Sequence, residues 1–149
     1  MPFPTPRFTG NANGTVTDNL TELIWLKDAN CFGGVSWADA LMHANTLAHG
    51  SCGLTDHSQA SDWRLANIKE LLSLIDYGFV DLTHPVPALS NAAGTAPWSE
   101  GAAFSHVQAD LYWSSTSPTT QPLGQFSVWR IVLTDGSTNH DFPQDNSFV

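Results

Sequence analysis

SDWRLANIKELLSLIDYG, residues 61–78, is the stretch on which the fold turns. Asn67 followed three residues later by Glu70 is a capping box, and Ile68, Leu71, Leu72 and Ile75 recur at helical spacing behind it. Gly78 is the expected stop, while Lys69 and Asp76 read as surface charges. Just ahead of the helix stand Asp62, Trp63 and Arg64. In an extended segment Trp63 points one way and the two charges the other. With Trp63 in the core, Arg64, one of three arginines, reads as a packed, hydrogen-bonded fork. Its expected partner is a carboxylate, either Asp62 or one from a strand. The cluster, together with Trp113, is therefore read as structural.

Upstream, SWADALMHANTLAHG forms the first expected helix. Ser36 caps it, Asp39 supports the cap, and Gly50 ends it. Trp37, Ala40, Leu41, Ala44, Leu47 and Ala48 make its apolar stripe, with His43 and His49 away from the stripe and solvated. Asn13-Gly14 is a hairpin signal, and the run after it gives two short strands with Leu23, Trp25 and Val16 turned inward. Downstream, residues 79–108 lack periodicity and are expected to be pinned by Trp98 and Phe104. LYWSSTS is a short buried strand. QFSVWRIVLTDGSTNHDF is a hairpin turning at Asp135-Gly136, with Trp129, Ile131 and Leu133 on one face and Val128, Arg130 and Val132 on the other.

The composition limits what the chain can do. A length of 149 residues suits one domain, residues 9–149, after a Pro-alternating start (1–8) that reads as a linker from a longer protein whose export signal lies elsewhere. The formal net charge of -9 disfavours nucleic acid and anionic membrane, both of which need clustered cations. No hydrophobic run has the length of a membrane span. Only 13% of residues are charged, and Ser, Thr, Asn and Gly are abundant, as in extracytoplasmic domains. In that setting Cys31 and Cys52 form a disulfide worth about 3 kcal/mol in the chain-entropy treatment; two buried thiols are the alternative.

Catalytic signatures are missing: there is no GxSxG, no HExxH, no phosphate loop and no dinucleotide fingerprint. Ser114 and Ser115 read as structural hydroxyls. No catalytic residue is assigned and the chain is expected not to be an enzyme. No cofactor is expected, although Asp135, Asn139, Asp141, Asp145 and Asn146 gather oxygen donors that suit calcium, with Asp135, Asp141 and Asp145 as weak ligand candidates. Trp98 can stack on a sugar ring, and Asn139, His140 and Asp141 can bond hydroxyls. The expected ligand surface comprises the loops around Trp98, residues 117–125 and residues 137–146.

GTVTDNLTELIWLKDANCF, SWADALMHANTLA, SDWRLANIKELLSLID, YWSST and VWRIVLTDGS stand in the order seen in the family named after the C-terminal domain of the Legionella collagen-like protein, which this chain resembles over residues 7–149. DWRL before a capped helix and the later WSST also look like the superfamily of C-type lectins and the formylglycine-generating enzyme. The resemblance implies an α+β, C-type-lectin-like fold with two helices, short antiparallel strands and long loops. It also implies a secreted or surface-displayed bacterial domain that acts in adhesion, with an extracellular glycan or protein ligand. A family member that binds sulfated glycosaminoglycans is a poor guide to the ligand, because the charge of -9 repels a polyanion. Neither cysteine matches the formylglycine-generating enzyme's catalytic pair. Glu22 stands where the family usually has Gly, and Ala66 where it has Pro; both sites are expected to tolerate the change. Family members continue into a further strand, expected to pair near the first one. Its place could be taken by a strand from another copy, which makes a homo-oligomer, or a self-assembling structural module, the alternative reading.

Overall fold

The computed structural model describes residues 4–116 and 126–149. Two antiparallel three-stranded sheets and two helices make an α+β fold. The first sheet contains β1 (Phe8–Gly10), β2 (Thr15–Asp18) and β3 (Ile24–Leu26) in sequence order. The second contains β4 (Leu111–Trp113), β5 (Val128–Val132) and β6 (Thr138–Asp141). Between them in sequence lie α1 (Trp37–Thr46) and α2 (Ile68–Leu74). The first run thus holds three strands where two were expected. Asn13-Gly14 serves the β1–β2 turn, and a second turn at Asn19–Glu22 makes room for β3.

The start of each helix follows from its cap. The Ser36 hydroxyl accepts from Asp39 N–H at 3.3 Å and donates to the Asp39 carboxylate at 2.7 Å. Asn67 Oδ1 accepts from the N–H groups of Lys69 and Glu70, and Glu70 Oε2 accepts from Asn67 N–H at 2.8 Å. Both helices end earlier than their glycines suggest. Thr46 Oγ1 donates to the Met42 carbonyl at 2.8 Å, and Leu47 leaves the helix in an extended conformation. After Leu74, Asp76 N–H donates to Ala88 O at 2.7 Å, pulling the chain onto the irregular segment; the Asp76 side chain then accepts from Gly78 N–H within a 3-10 turn. A side-chain bond to an earlier carbonyl and a strong tertiary bond each compete with another helical turn.

The main core joins Phe8 and Val16 of the first sheet, Leu71 and Leu74 from α2 with Ile75 just after it, and Tyr112 and Ile131 of the second sheet, with Leu89 and Phe104 from the irregular segment. A smaller cluster packs Ala40 and Ala44 of α1 against Leu65, Trp113 and Val128. Trp113 is buried, and its indole N–H donates to Val35 O at 2.8 Å. The Cys31–Cys52 disulfide forms, with Cα atoms 5.7 Å apart, and brackets α1. Phe148 lies beside β4: its N–H donates to Leu111 O and its carbonyl accepts from Trp113 N–H, both at 2.9 Å. The outer edge of β1 receives Ala92, whose carbonyl accepts from Phe8 N–H at 2.9 Å.

Arg7 and Phe8, set aside above as part of a linker, are buried. Arg7 forks onto Asp18, Nε to Oδ1 at 2.8 Å and Nη2 to Oδ2 at 2.9 Å, while Nη2 also donates to Ser73 O at the end of α2 at 2.8 Å. Asp18 further accepts from Leu20 N–H and the Thr21 hydroxyl. Burial by itself raises the Asp18 carboxyl, but the bonds from Arg7, Leu20 and Thr21, with the Arg7 charge, outweigh it and hold it below the ordinary carboxylate value of 3.8. A depressed folded value means stability that is complete above 3.8 and lost as pH falls below it through the folded value. Asp18→Asn leaves a buried guanidinium without its charge partner and should cost about 3–5 kcal/mol in urea unfolding at pH 7, with a smaller loss at pH 3. Glu22 adopts φ +62, a left-handed conformation that side chains resist. Glu22→Gly should leave stability unchanged or raise it by up to about 1 kcal/mol, measured the same way.

Candidate functional site

The segment Asp62–Trp63–Arg64 lies on the wall of a half-open cleft of about 260 Å³. Trp25 and Leu26 of β3, Ala44 of α1 and Leu47 just after it, Leu71 and Leu74 of α2, and Tyr112 and Trp113 of β4 form its apolar interior, with Phe32 and Trp63. Asp28, Asp62, Arg64 and Glu70 supply its charges. Trp63 is only half-buried, so it walls this cleft and does not fill the core as expected. Arg64 also differs from the expected packed fork. Its side chain is 63% exposed, and its partner is Glu70, neither Asp62 nor a strand carboxylate. Nη1 donates to Oε2 at 2.8 Å and Nη2 to Oε1 at 2.6 Å. Asp62 instead accepts Gln59 N–H at 2.8 Å. Hydrogen bonding from Arg64 lowers the Glu70 carboxyl against the opposing effect of burial, with Asn67 N–H adding to the shift. Burial pushes the Tyr112 phenol up to about 12; its hydroxyl donates to Ala29 O and accepts Gln108 N–H.

Across the domain, β5 and β6 form the hairpin expected around Asp135-Gly136, in the register Trp129↔His140 and Arg130↔Asn139. Arg130 is buried. Its guanidinium bonds Asp141, Asn139 Oδ1 at 3.3 Å and Ser147 Oγ at 3.0 Å, and lies 5.2 Å from the Trp113 ring centroid. Asn139 and Asp141 therefore serve this buried cation as well as facing outward. On the other side Trp129 meets His140 edge-to-face at 5.3 Å. Phe126, just before β5, is 61% exposed, and Phe142, just after β6, is 43% exposed.

The structure does not assemble the residues expected to bind ligand into one site. Trp98 is half-buried against the core, with its N–H donating to Phe104 O at 3.2 Å, so little of the indole is available for stacking. Residues 117–125 lie outside the described residues. The calcium set is split by β6. Asp135 closes a turn onto Ser137 N–H at one end, while Asp141 and Asp145 neighbour each other at the far end, where Asp141 is held below the ordinary carboxylate value and its carboxylate raises Asp145 above it. Among the described residues no three His, Cys, Asp or Glu side chains come together as a metal group. Ser114 is buried with its hydroxyl on Trp129 O at 2.8 Å. Trp129 itself was not singled out for binding: a count outward from Asp135-Gly136 would set it against Phe142, and only the longer turn in the structure sets it against His140.

The five motifs read from the sequence fall on β2–β3, α1, the cleft wall with α2, β4 and β5, so they trace one connected frame. The sequence pattern of the Lcl C-terminal domain matches residues 14–149. The chain belongs to the Lcl C-terminal domain family. No curated protein and no solved structure gave a match. Membership associates this Lcl C-terminal domain with bacterial surfaces, and its disulfide is compatible with an extracytoplasmic place. Among the described residues no helix is long and apolar enough to cross a membrane.

An exposed ion pair contributes about 0–1 kcal/mol, with two-point geometry placing this one toward the upper end. Arg64→Ala should therefore cost less than about 1 kcal/mol. Arg130→Ala, which strips a buried Asp141–Ser147 network and leaves a hole beside Trp113, should cost about 3–5 kcal/mol. Parallel urea titrations of the two variants check the contrast.

Proposed function

We propose that this Lcl C-terminal domain is a non-enzymatic recognition module of C-type-lectin-like architecture. It acts in adhesion outside the bacterial cytoplasm and binds a glycan or protein ligand through the outer face of the β5–β6 hairpin. The observation that carries the reading is the edge-to-face pairing of Trp129 with His140, on the hairpin face opposite Arg130 and Asn139, with exposed Phe126 just before β5 and exposed Phe142 just after β6. Aromatic rings beside hydrogen-bonding side chains suit a sugar, whose apolar face stacks while its hydroxyls bond. Exposed large apolar side chains grouped near polar ones also mark protein partners. A neutral or weakly charged ligand fits a chain of net charge -9 better than a sulfated one.

A second reading rests on β6, which pairs with β5 alone among the described residues and keeps an edge free. An unpaired edge is a template for a strand from another copy, which would make the domain a self-assembling structural module.

A glycan array with neutral and acidic sugars, run with and without calcium, tests the first reading. Binding should fall about tenfold in Trp129→Ala, the size of one lost stacking contact. Unchanged binding in that variant would move the site elsewhere. Light scattering across a concentration series tests the second reading: growth with concentration and no glycan signal would favour assembly.

A further inference from the structure

The cleft walled by Trp63 lies apart from the hairpin face, and its chemistry points to a different class of ligand. Its volume of about 260 Å³ exceeds the roughly 150 Å³ apolar cavity that accepts benzene in a protein core. It therefore has room for an aromatic ring with a short side arm. Trp25, Phe32, Trp63, Tyr112 and Trp113 give it an aromatic interior. Tyr112 has both its donor and its acceptor engaged, so it offers a ring and no free polar handle.

The charges around the cleft are unequal. Three carboxylates, Asp28, Asp62 and Glu70, face it with one guanidinium, Arg64. Arg64 is spent on Glu70 by two bonds. Asp28 is held by His106 Nδ1 at 3.0 Å. Asp62 is exposed, accepts only the Gln59 N–H, and has no cationic partner among the described residues. Around it the chain carries a net charge of -9. A cation placed at the mouth gains an unpaired carboxylate and, from the tryptophan faces, a cation–π attraction; an anion meets the same carboxylate as repulsion.

We propose that this cleft is a binding site for a small aromatic amine, with the ring held among Trp63, Phe32 and Trp113 and the ammonium at Asp62. The site is separate from the hairpin face, so neither proposal depends on the other.

Phenethylamine, 2-phenylethanol and phenylacetate share one ring and one chain length and differ in the charge at the end. Titrated separately into the intact domain and followed by amide chemical shifts, they should bind in the order amine, alcohol, acid. The amine should be roughly tenfold tighter than the acid, the combined effect of attraction in one and repulsion in the other. The shifts should centre on residues 62–66. Asp62→Asn should weaken the amine several-fold toward the alcohol, leaving only the smaller cation–π advantage, while the alcohol itself is unchanged. Equal binding of amine and acid, shifts centred away from Trp63, or no binding of any of the three would each overturn the proposal. Trp129→Ala should leave the amine's affinity unaltered, which keeps a failure here distinct from a failure at the hairpin.

Discussion

The buried pair of Arg7 and Asp18 is the junction on which the rest of the domain leans. The guanidinium reaches the β2 carboxylate with two nitrogens and the Ser73 carbonyl of α2 with one of them. It thereby connects the first sheet to the end of the helix that packs against β5. Nearby, Phe8 N–H is bonded to Ala92, and Gly94 passes close: a Cβ there would stand 3.0 Å from Arg7 Cβ, at a φ of +77. Taking two charges out of water is expensive and is offset only when every oxygen and N–H finds a partner. Asp18 meets that condition through Arg7, Leu20 N–H and Thr21. The pair therefore specifies the arrangement more than it adds to net stability.

The three arginines divide the work of the domain. Arg7, just before β1, and Arg130, in β5, are buried cations, each bonded to a carboxylate and to a further acceptor. Arg64 lies at the surface beside the cleft and crosses to α2. Each makes a forked or multiple contact of the kind a planar guanidinium supports and an ammonium does not. With only five Lys and Arg in an acidic chain, three of them are committed to architecture. The outward-facing groups are mostly carboxylates, amides and aromatic rings, and both proposed binding surfaces follow from that division.

What could be read from the sequence was what depends on neighbours along the chain. The caps at Ser36 and Asn67, the turn at Asp135-Gly136 and the apolar stripe of α1 each involve residues a few positions apart. The disulfide followed from composition and from having two cysteines. The errors involve partners that are distant or shared. Glu70 was assigned to the cap alone, yet a carboxylate has two oxygens, and the same group also holds Arg64. Arg7 lies in a Pro-rich start that resembles a tether, and its role emerges only when Phe8 pairs with Asp18. Thr138–Asp141 forms the expected second arm of the hairpin, but Asn139 and Asp141 were also grouped with Asp135, Asp145 and Asn146 as one oxygen-donor set suited to calcium. The register with β5 spreads them along an edge instead.

The covalent link between Cys31 and Cys52 has a mechanical consequence. The 21 residue steps between the two cysteines would reach roughly 70 Å if fully drawn out. With the bridge closed, that length is withheld from a chain pulled at its two ends, and tension bypasses α1 through the sulfur atoms. The helix and the face of the cleft it supplies can then remain folded in a partly stretched molecule, ready to re-form the domain once the load is released.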